Sequence, residues 1–142
     1  FKGRWYLLCM KTEINEIRTY ALDRILSYDI RRNKFTLSSD FNLEDYFKNC
    51  FGIITPDWLK SETIRFSFGN VQAEYIKSYP LHNSQKIIKE MGERVIFEVQ
   101  LFITQDLIME LLSYGDEIII LKPKSLINTI ISIQKGVLKN YR

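Results

Sequence analysis

Alternating and clustered apolar positions in the first thirty residues predict short β-strands. Residues 4–10 form an aromatic and aliphatic run, and the polar stretch 11–15 after it is typical of a turn. Residues 16–22 then alternate with a period of two, which predicts a second strand paired with the first as a hairpin. The alternation places Arg18, Tyr20 and Leu22 together on one face of that strand.

Beyond the hairpin the pattern predicts a corner at Asp23-Arg24, a third strand over 25–30 and a polar turn at 31–34. Several short strands joined by tight turns favour a small barrel. A short helix is predicted over 42–50, with Asn42 as its N-cap. Residues 55–61 are the most linker-like stretch, so we place a first domain at 1–60 and a second at 61–142.

The second domain alternates in type. The pattern predicts, in order, a strand at 62–68, a helix at 70–79, a hairpin of 84–89 with 94–102, a helix capped by Thr104 and ended near Gly115, a strand at 117–121 and a last helix beginning at Lys122-Pro123. The order is β-α-β-β-α-β plus a terminal helix. It predicts a ferredoxin-like domain, and an α+β protein overall.

Composition limits the functional classes. The net charge of +3 and the pI of about 8.8 allow an anionic ligand but do not indicate a strongly basic nucleic-acid coat. Since no apolar run reaches about 18 residues, we expect no membrane contact and a cytoplasmic protein. The chain opens almost inside a strand pattern, and we interpret it as the ordered part of a longer protein.

Metal, cofactor and enzyme chemistry have little support in the sequence. Cys9 and Cys50 form no metal-ligand spacing, so no zinc site or cofactor is expected; buried thiols are the favoured interpretation, and a disulfide stays open. His82 is the single histidine, and no phosphate-binding glycine loop or nucleophile motif accompanies it. We therefore predict that the chain is not an enzyme.

Four stretches resemble the WYL-domain family. Residues 4–7 (RWYL) followed by 18–25 (RTYALDRI) resemble its Trp-Tyr-Leu strand and the arginine-bearing strand after it. Residues 81–85 (LHNSQ) and 112–117 (LSYGDE) resemble motifs of the family's C-terminal extension. Ala21 stands where the family often has a third arginine, and Leu81 and Asn83 replace its usual Trp and Pro.

The resemblance implies an SH3-like (Sm-like) barrel, here lacking its first strands, followed by the extension domain. Members of the family are usually bacterial transcription regulators with a helix-turn-helix DNA reader ahead of the barrel, which this chain lacks. The barrel acts as a sensor of nucleic acid or nucleotide-like ligands, and the extension often helps to build a homodimer. The resemblance therefore implies the sensing and dimerising part of a DNA-binding regulator.

The candidate ligand residues are cationic and aromatic side chains of the two WYL-like strands: Arg18, Arg24, Tyr6, Tyr20 and Arg4. Arginine can grip phosphate bidentately and stack on a base, and tyrosine adds a stacking face and a hydroxyl. The structural alternative is that the arginines are solvated side chains covering apolar surface and that the tyrosines pack. Trp5 and Leu7 are assigned to the core, on the face opposite Tyr6 and Arg4.

Three further residues are secondary candidates. Asp23 is expected to pair with an arginine or cap the corner rather than bind a ligand, and His82 with Gln85 to order their loop or contact a partner domain. The alternative function is a dimerisation and scaffold module without a ligand of its own, because the last helix, residues 126–141, is rich in apolar residues.

Overall fold

The computed structural model describes residues 1–11, 13–36 and 41–141, and its chain divides into two compact units, Phe1–Tyr46 and Phe47–Arg142. In the first unit, β1 (Tyr6–Lys11) pairs antiparallel with β2 (Glu16–Ala21), and one turn of 3-10 helix (Leu22–Arg24) follows. The predicted hairpin and corner are confirmed. None of the described residues of this unit is buried.

The predicted third strand over 25–30 is wrong. Residues 25–30 lie wholly in the described part of the chain and belong to no helix or strand. Leu26 is 100% exposed and Ile30 94% exposed. An alternating pattern forms a strand only where another strand accepts its backbone hydrogen bonds, and no described strand pairs with this segment.

The short helix α1 (Leu43–Phe47) begins where the sequence indicates but ends earlier than residue 50. The Asn42 side-chain oxygen accepts hydrogen bonds from the backbone N–H groups of Glu44 (2.8 Å) and Asp45 (3.1 Å), as an N-cap does. After α1 the chain is tied to the second unit, since Phe102 N donates to Asn49 O over 2.8 Å. The domain boundary at residue 60 stays a prediction.

The second unit contains a four-stranded antiparallel sheet and three helices. Its elements are β3 (Glu62–Gly69), α2 (Asn70–Ser78), β4 (Lys86–Met91), β5 (Arg94–Leu101), α3 (Gln105–Ser113), β6 (Ile118–Lys122) and α4 (Lys124–Lys139). The sheet order is β4-β5-β3-β6, with the first and third strands of the domain side by side at its centre. This is the ferredoxin-like arrangement with an extra C-terminal helix, so the predicted fold is confirmed.

The core lies on one face of this sheet because β3 and β5 alternate strictly. Phe66 and Phe68 on β3 and Phe97 on β5 are fully buried, and the rings of Phe66 and Phe97 stack with centroids 5.8 Å apart. Helices α2, α3 and α4 cover this face with apolar side chains, namely Ala73, Ile76, Leu107, Ile108, Leu111 and Leu126. The opposite face of the sheet carries mostly polar and charged side chains.

Local signals end the elements where the sequence indicates. The Thr104 side chain accepts a hydrogen bond from Leu107 N and begins α3, and Gly115, at a φ of +57°, follows its end. Gly92, at a φ of +55°, lies in the β4–β5 turn. Pro123 directly precedes α4, where its missing N–H costs nothing.

We expect Leu126→Ala to lower the free energy of unfolding of the second unit by about 2–5 kcal/mol, because Leu126 is 0% exposed and its loss leaves a cavity in the core. Ile131→Ala, in the same helix at a side chain that is 46% exposed, is the matched control and should cost clearly less. Urea unfolding followed by circular dichroism measures both variants. Equal losses would show that α4 does not anchor through Leu126.

Candidate functional site

The register of the hairpin sorts the candidate residues onto two faces. Leu7 pairs with Tyr20 and Cys9 with Arg18, so these four side chains share one face, the Arg18 face. Tyr6 pairs with Ala21 on the opposite side, which we call the Tyr6 face. The structure therefore brings Arg18 and Tyr20 together but places Tyr6 away from them.

The Arg18 face joins a cation to exposed apolar surface. The Arg18 guanidinium pairs with Glu16, two residues earlier on the same strand, and both side chains stay about half exposed. Tyr20 and Leu7 form the next pair on the same face, two residues along the strands from Arg18 and Cys9, and both are exposed. The hydrogen bond from Leu22 N to Trp5 O, 3.1 Å long, extends the pairing by one rung toward Trp5.

The assignment of Trp5 and Leu7 to a core is wrong in this structure. Trp5 is 81% exposed and Leu7 48% exposed. The physical reason is that the two strands form a sheet of their own in the described chain, and a hairpin of two strands buries little by itself. Trp5 was expected to pack in a core. It instead adds an exposed aromatic surface to the Arg18 face.

The remaining first-unit candidates lie at the corner after β2. Arg4 Nε is 3.9 Å from Asp23 Oδ2, and both side chains are more than half exposed, so Asp23 holds Arg4 as a weak surface pair. The pairing role expected of Asp23 is thereby confirmed. Arg24 is exposed and has no ion-pair partner among the described residues. Its guanidinium is therefore the one of these three arginines that no carboxylate of the described chain neutralises.

This arrangement can hold an anionic ligand through cationic and aromatic contacts. Arginine forks beside exposed tyrosine and tryptophan rings can grip a phosphate and stack on a base. Cys9 and Cys50 are free thiols, and burial raises the pKa of Cys50 to about 11. Within residues 1–11, 13–36 and 41–141, no group of three or more metal-ligating side chains comes together.

The candidates in the second unit, His82 and Gln85, make hydrogen bonds that hold their loop in place. His82 Nδ1 lies 2.8 Å from the Ser84 hydroxyl and accepts a hydrogen bond from Ser84 N over 3.1 Å. Ser84 Oγ in turn accepts from Gln100 N on β5 over 3.0 Å. Gln85 accepts from Leu81 N and donates to Ile76 O at the end of α2. These contacts match the loop-ordering role predicted for His82 and Gln85, and a ligand role for either stays a prediction.

Two sequence families match the chain. The WCX domain matches residues 60–138, and the WYL domain matches residues 1–30. The WYL match includes both hairpin strands, Arg18, Tyr20 and Arg24, and the WCX match includes the whole ferredoxin-like sheet with the loop of His82. The chain belongs to the WCX-domain family, and it carries a WYL-domain segment ahead of that domain. Neither is an enzyme family.

One solved structure similar to this chain is the proteasome accessory factor B/C (PafBC) of Arthrobacter aurescens, at 18% sequence identity and a TM-score of 0.41. The match covers 91% of this chain and 19% of that one, so the chain spans about a fifth of the length of PafBC. The comparison with curated proteins finds no match. Among the described residues, no helix is long and apolar enough to cross a membrane.

The environment of His82 predicts a pH dependence of stability. Burial lowers the pKa of His82, and the Ser84 N–H already occupies Nδ1, so the folded state favours the neutral ring. As the pH falls through the ordinary histidine range near about 6.5, the unfolded chain binds a proton first, and stability present at higher pH is lost. Tm should therefore fall more steeply between about pH 7 and 5 in the wild type than in His82→Gln. Parallel Tm profiles in thermal melts would contradict this.

Proposed function

We propose that this chain is the ligand-sensing and dimerisation region of a bacterial transcription regulator, and that it binds a nucleic acid or nucleotide-like ligand. The observation that carries the proposal is the Arg18 face, on which a guanidinium lies two residues along the strand from Tyr20 and its partner Leu7 within the WYL-matching segment. The joint presence of WYL and WCX domains supports a regulator-associated role.

The ligand residues of the proposal follow from the two faces. Arg18 and Tyr20 contact the ligand directly, since they share a face with exposed aromatic surface. Arg24, just past the end of β2, contributes an unneutralised charge. Arg4 joins them when a phosphate replaces Asp23 as its partner. Tyr6 contributes only if the ligand reaches around to the opposite face.

DNA recognition in this proposal belongs to a helix-turn-helix region outside this chain. The chain supplies the response to the ligand and the contact between two copies, and the regulator acts in the cytoplasm. No metal or cofactor takes part in the proposed binding.

We expect Arg18→Ala and Arg24→Ala each to weaken binding of a labelled oligonucleotide or dinucleotide by about 1–3 kcal/mol, the typical cost of losing a contact to a charged group. Binding by the unsubstituted chain should also weaken as the salt concentration rises, because phosphate contacts release counterions. Fluorescence anisotropy measures both effects. Lys135→Ala, which removes an exposed cation on α4, is the control. Unchanged affinity in both arginine variants would remove them from the site.

The dimerisation role rests on a second apolar stripe of α4. Leu126 faces the core, whereas Ile127, Ile130 and Ile131 line a groove of about 210 Å³ together with side chains of α3 and β6. Leu138, about two helical turns after Ile131, continues this stripe and is more than half exposed. A second copy of the chain would cover it. If it does so without any ligand, the chain is a dimerisation and scaffold module, which is the alternative function.

We expect the paired substitution Ile131→Asp and Leu138→Asp to shift the chain from dimer to monomer, because it places charges within the stripe that the second copy covers. Sedimentation velocity at micromolar concentration measures the change. Val71→Asp, at an exposed position on α2, should leave the mass unchanged. A wild-type chain that sediments as a monomer at high micromolar concentration would count against dimerisation through α4.

A further inference from the structure

The sheet face opposite the core carries an excess of positive charge. We call it the polar face. Its residues alternate with core positions along their strands or pair with residues that do: Thr63, Arg65, Ser67, Lys86, Lys89, Arg94, Ile96, Glu98, Gln100, Ile119 and Lys122. Five of these side chains are cations and one is a carboxylate. The face therefore differs from the helix side of the same sheet, where Lys77 of α2 is neutralised by Glu74 and Glu90.

Four of the charged residues form one row across the whole sheet. Lys86 on β4 pairs with Glu98 on β5, Glu98 pairs with Arg65 on β3, and Arg65 pairs with Lys122 on β6. Neighbouring strands are about 4.8 Å apart, so the row extends over about 14 Å. Three cations thus follow one another across a nearly flat surface with a single carboxylate between them.

That carboxylate does not neutralise the row. Glu98 Oε2 accepts from Arg65 Nε over 2.5 Å and lies 3.4 Å from Lys122 Nζ, so two cations share one negative charge. These contacts lower the pKa of Glu98 and keep it ionised. Lys86 and Lys89 are exposed and have no ion-pair partner in the described chain.

A fifth cation adds charge at the other end of the face. The Arg94 guanidinium donates to the backbone oxygens of Ser67 and Glu117, both over 2.8 Å, which orients the side chain without cancelling its charge. A carboxylate oxygen of Glu117 lies near Gly69, at the end of β3 away from the row. The row from Lys86 to Lys122 consequently stays the most cationic part of the polar face.

We propose that the polar face binds the phosphate backbone of single-stranded nucleic acid, with Lys86, Lys89 and Lys122 contacting phosphates. A row of cations complements a chain of phosphodiesters, and the face projects no helix or ribbon that could enter a duplex groove. It contains no aromatic side chain, so the contact is sequence-tolerant and strongly salt-dependent. An acidic protein is the competing partner, and the competition by polyglutamate described below tests for it. This surface is separate from the hairpin site proposed above.

The test is anisotropy of a fluorescein-labelled oligothymidylate about 15 nucleotides long, titrated with the whole chain between about 50 and 200 mM salt. Lys86→Glu with Lys89→Glu should raise Kd by about tenfold or more at the lower salt and make the slope of log K against log salt shallower by about 1.4, the value for two lost phosphate contacts. Lys135→Glu with Lys139→Glu makes the same charge change on α4 and should alter Kd much less. Equal effects of the two pairs would reduce the interaction to net charge and overturn the proposal.

A substitution that is expected to strengthen binding separates the proposed contact from an effect of misfolding. Glu98→Gln removes the only carboxylate of the row, so oligonucleotide affinity should rise severalfold although Tm falls, since Arg65 and Lys122 lose their partner. A loss of stability alone would lower both quantities. Unchanged or weaker binding by Glu98→Gln would contradict the proposal. If Lys86→Glu with Lys89→Glu unfolds the sheet, the milder pair Lys86→Gln with Lys89→Gln takes its place in the test.

The hairpin site and the polar face are tested separately by combining variants. If only the hairpin binds, Arg18→Ala with Arg24→Ala abolishes binding and the β4 pair has no effect, which overturns this inference but not the proposed function. If only the polar face binds, the reverse holds. Tight binding of a duplex of equal length, or equal competition by polyglutamate, would overturn the assignment to single-stranded nucleic acid.

Discussion

The packing of Phe66 against Phe97 across the two central strands determines most of the second unit. Both residues occupy alternate positions of strands that pair in register, so the apolar side chains at those alternate positions, from Ile64 to Leu101, face the same side. The helices cover that side because apolar surface leaves water there. The other side must then carry whatever polar residues the alternation leaves. The cationic row is a product of the same register that builds the core.

The first unit is organised differently, because it has no buried core among its described residues. Its two strands alternate as well, yet no described side chain in it is buried, and the hairpin leaves Trp5 and Leu7 in contact with water. Large exposed aromatic and aliphatic surface next to arginine is what a binding face needs and what a core avoids. The two units therefore contribute in different ways: one is held by a packed core, and the other offers surface.

The sequence could predict elements wherever they carried their own signals. Thr104 and Gly115 bracket α3, and strict alternation identifies β3 and β5, so the ferredoxin-like order follows from the residues alone. The strand predicted over 25–30 is wrong because alternation indicates only a preference for extended structure, whereas a strand also needs a second strand to pair with. For the site, alternation correctly joined Arg18 with Tyr20. It could not supply Glu16 as the partner of Arg18 or the row from Lys86 to Lys122, because each of these depends on pairing register or side-chain geometry.

The two cysteines differ in a way that gives the hairpin a built-in reporter. A thiol reacts as its thiolate, and burial of Cys50 with its pKa near 11 keeps that residue protonated and shielded. Cys9 is only partly buried and lies directly across the strand from Arg18. A thiol-directed dye would therefore label the natural chain at one position, beside the proposed ligand site. Changes in its emission would follow events on the Arg18 face without any engineered mutation.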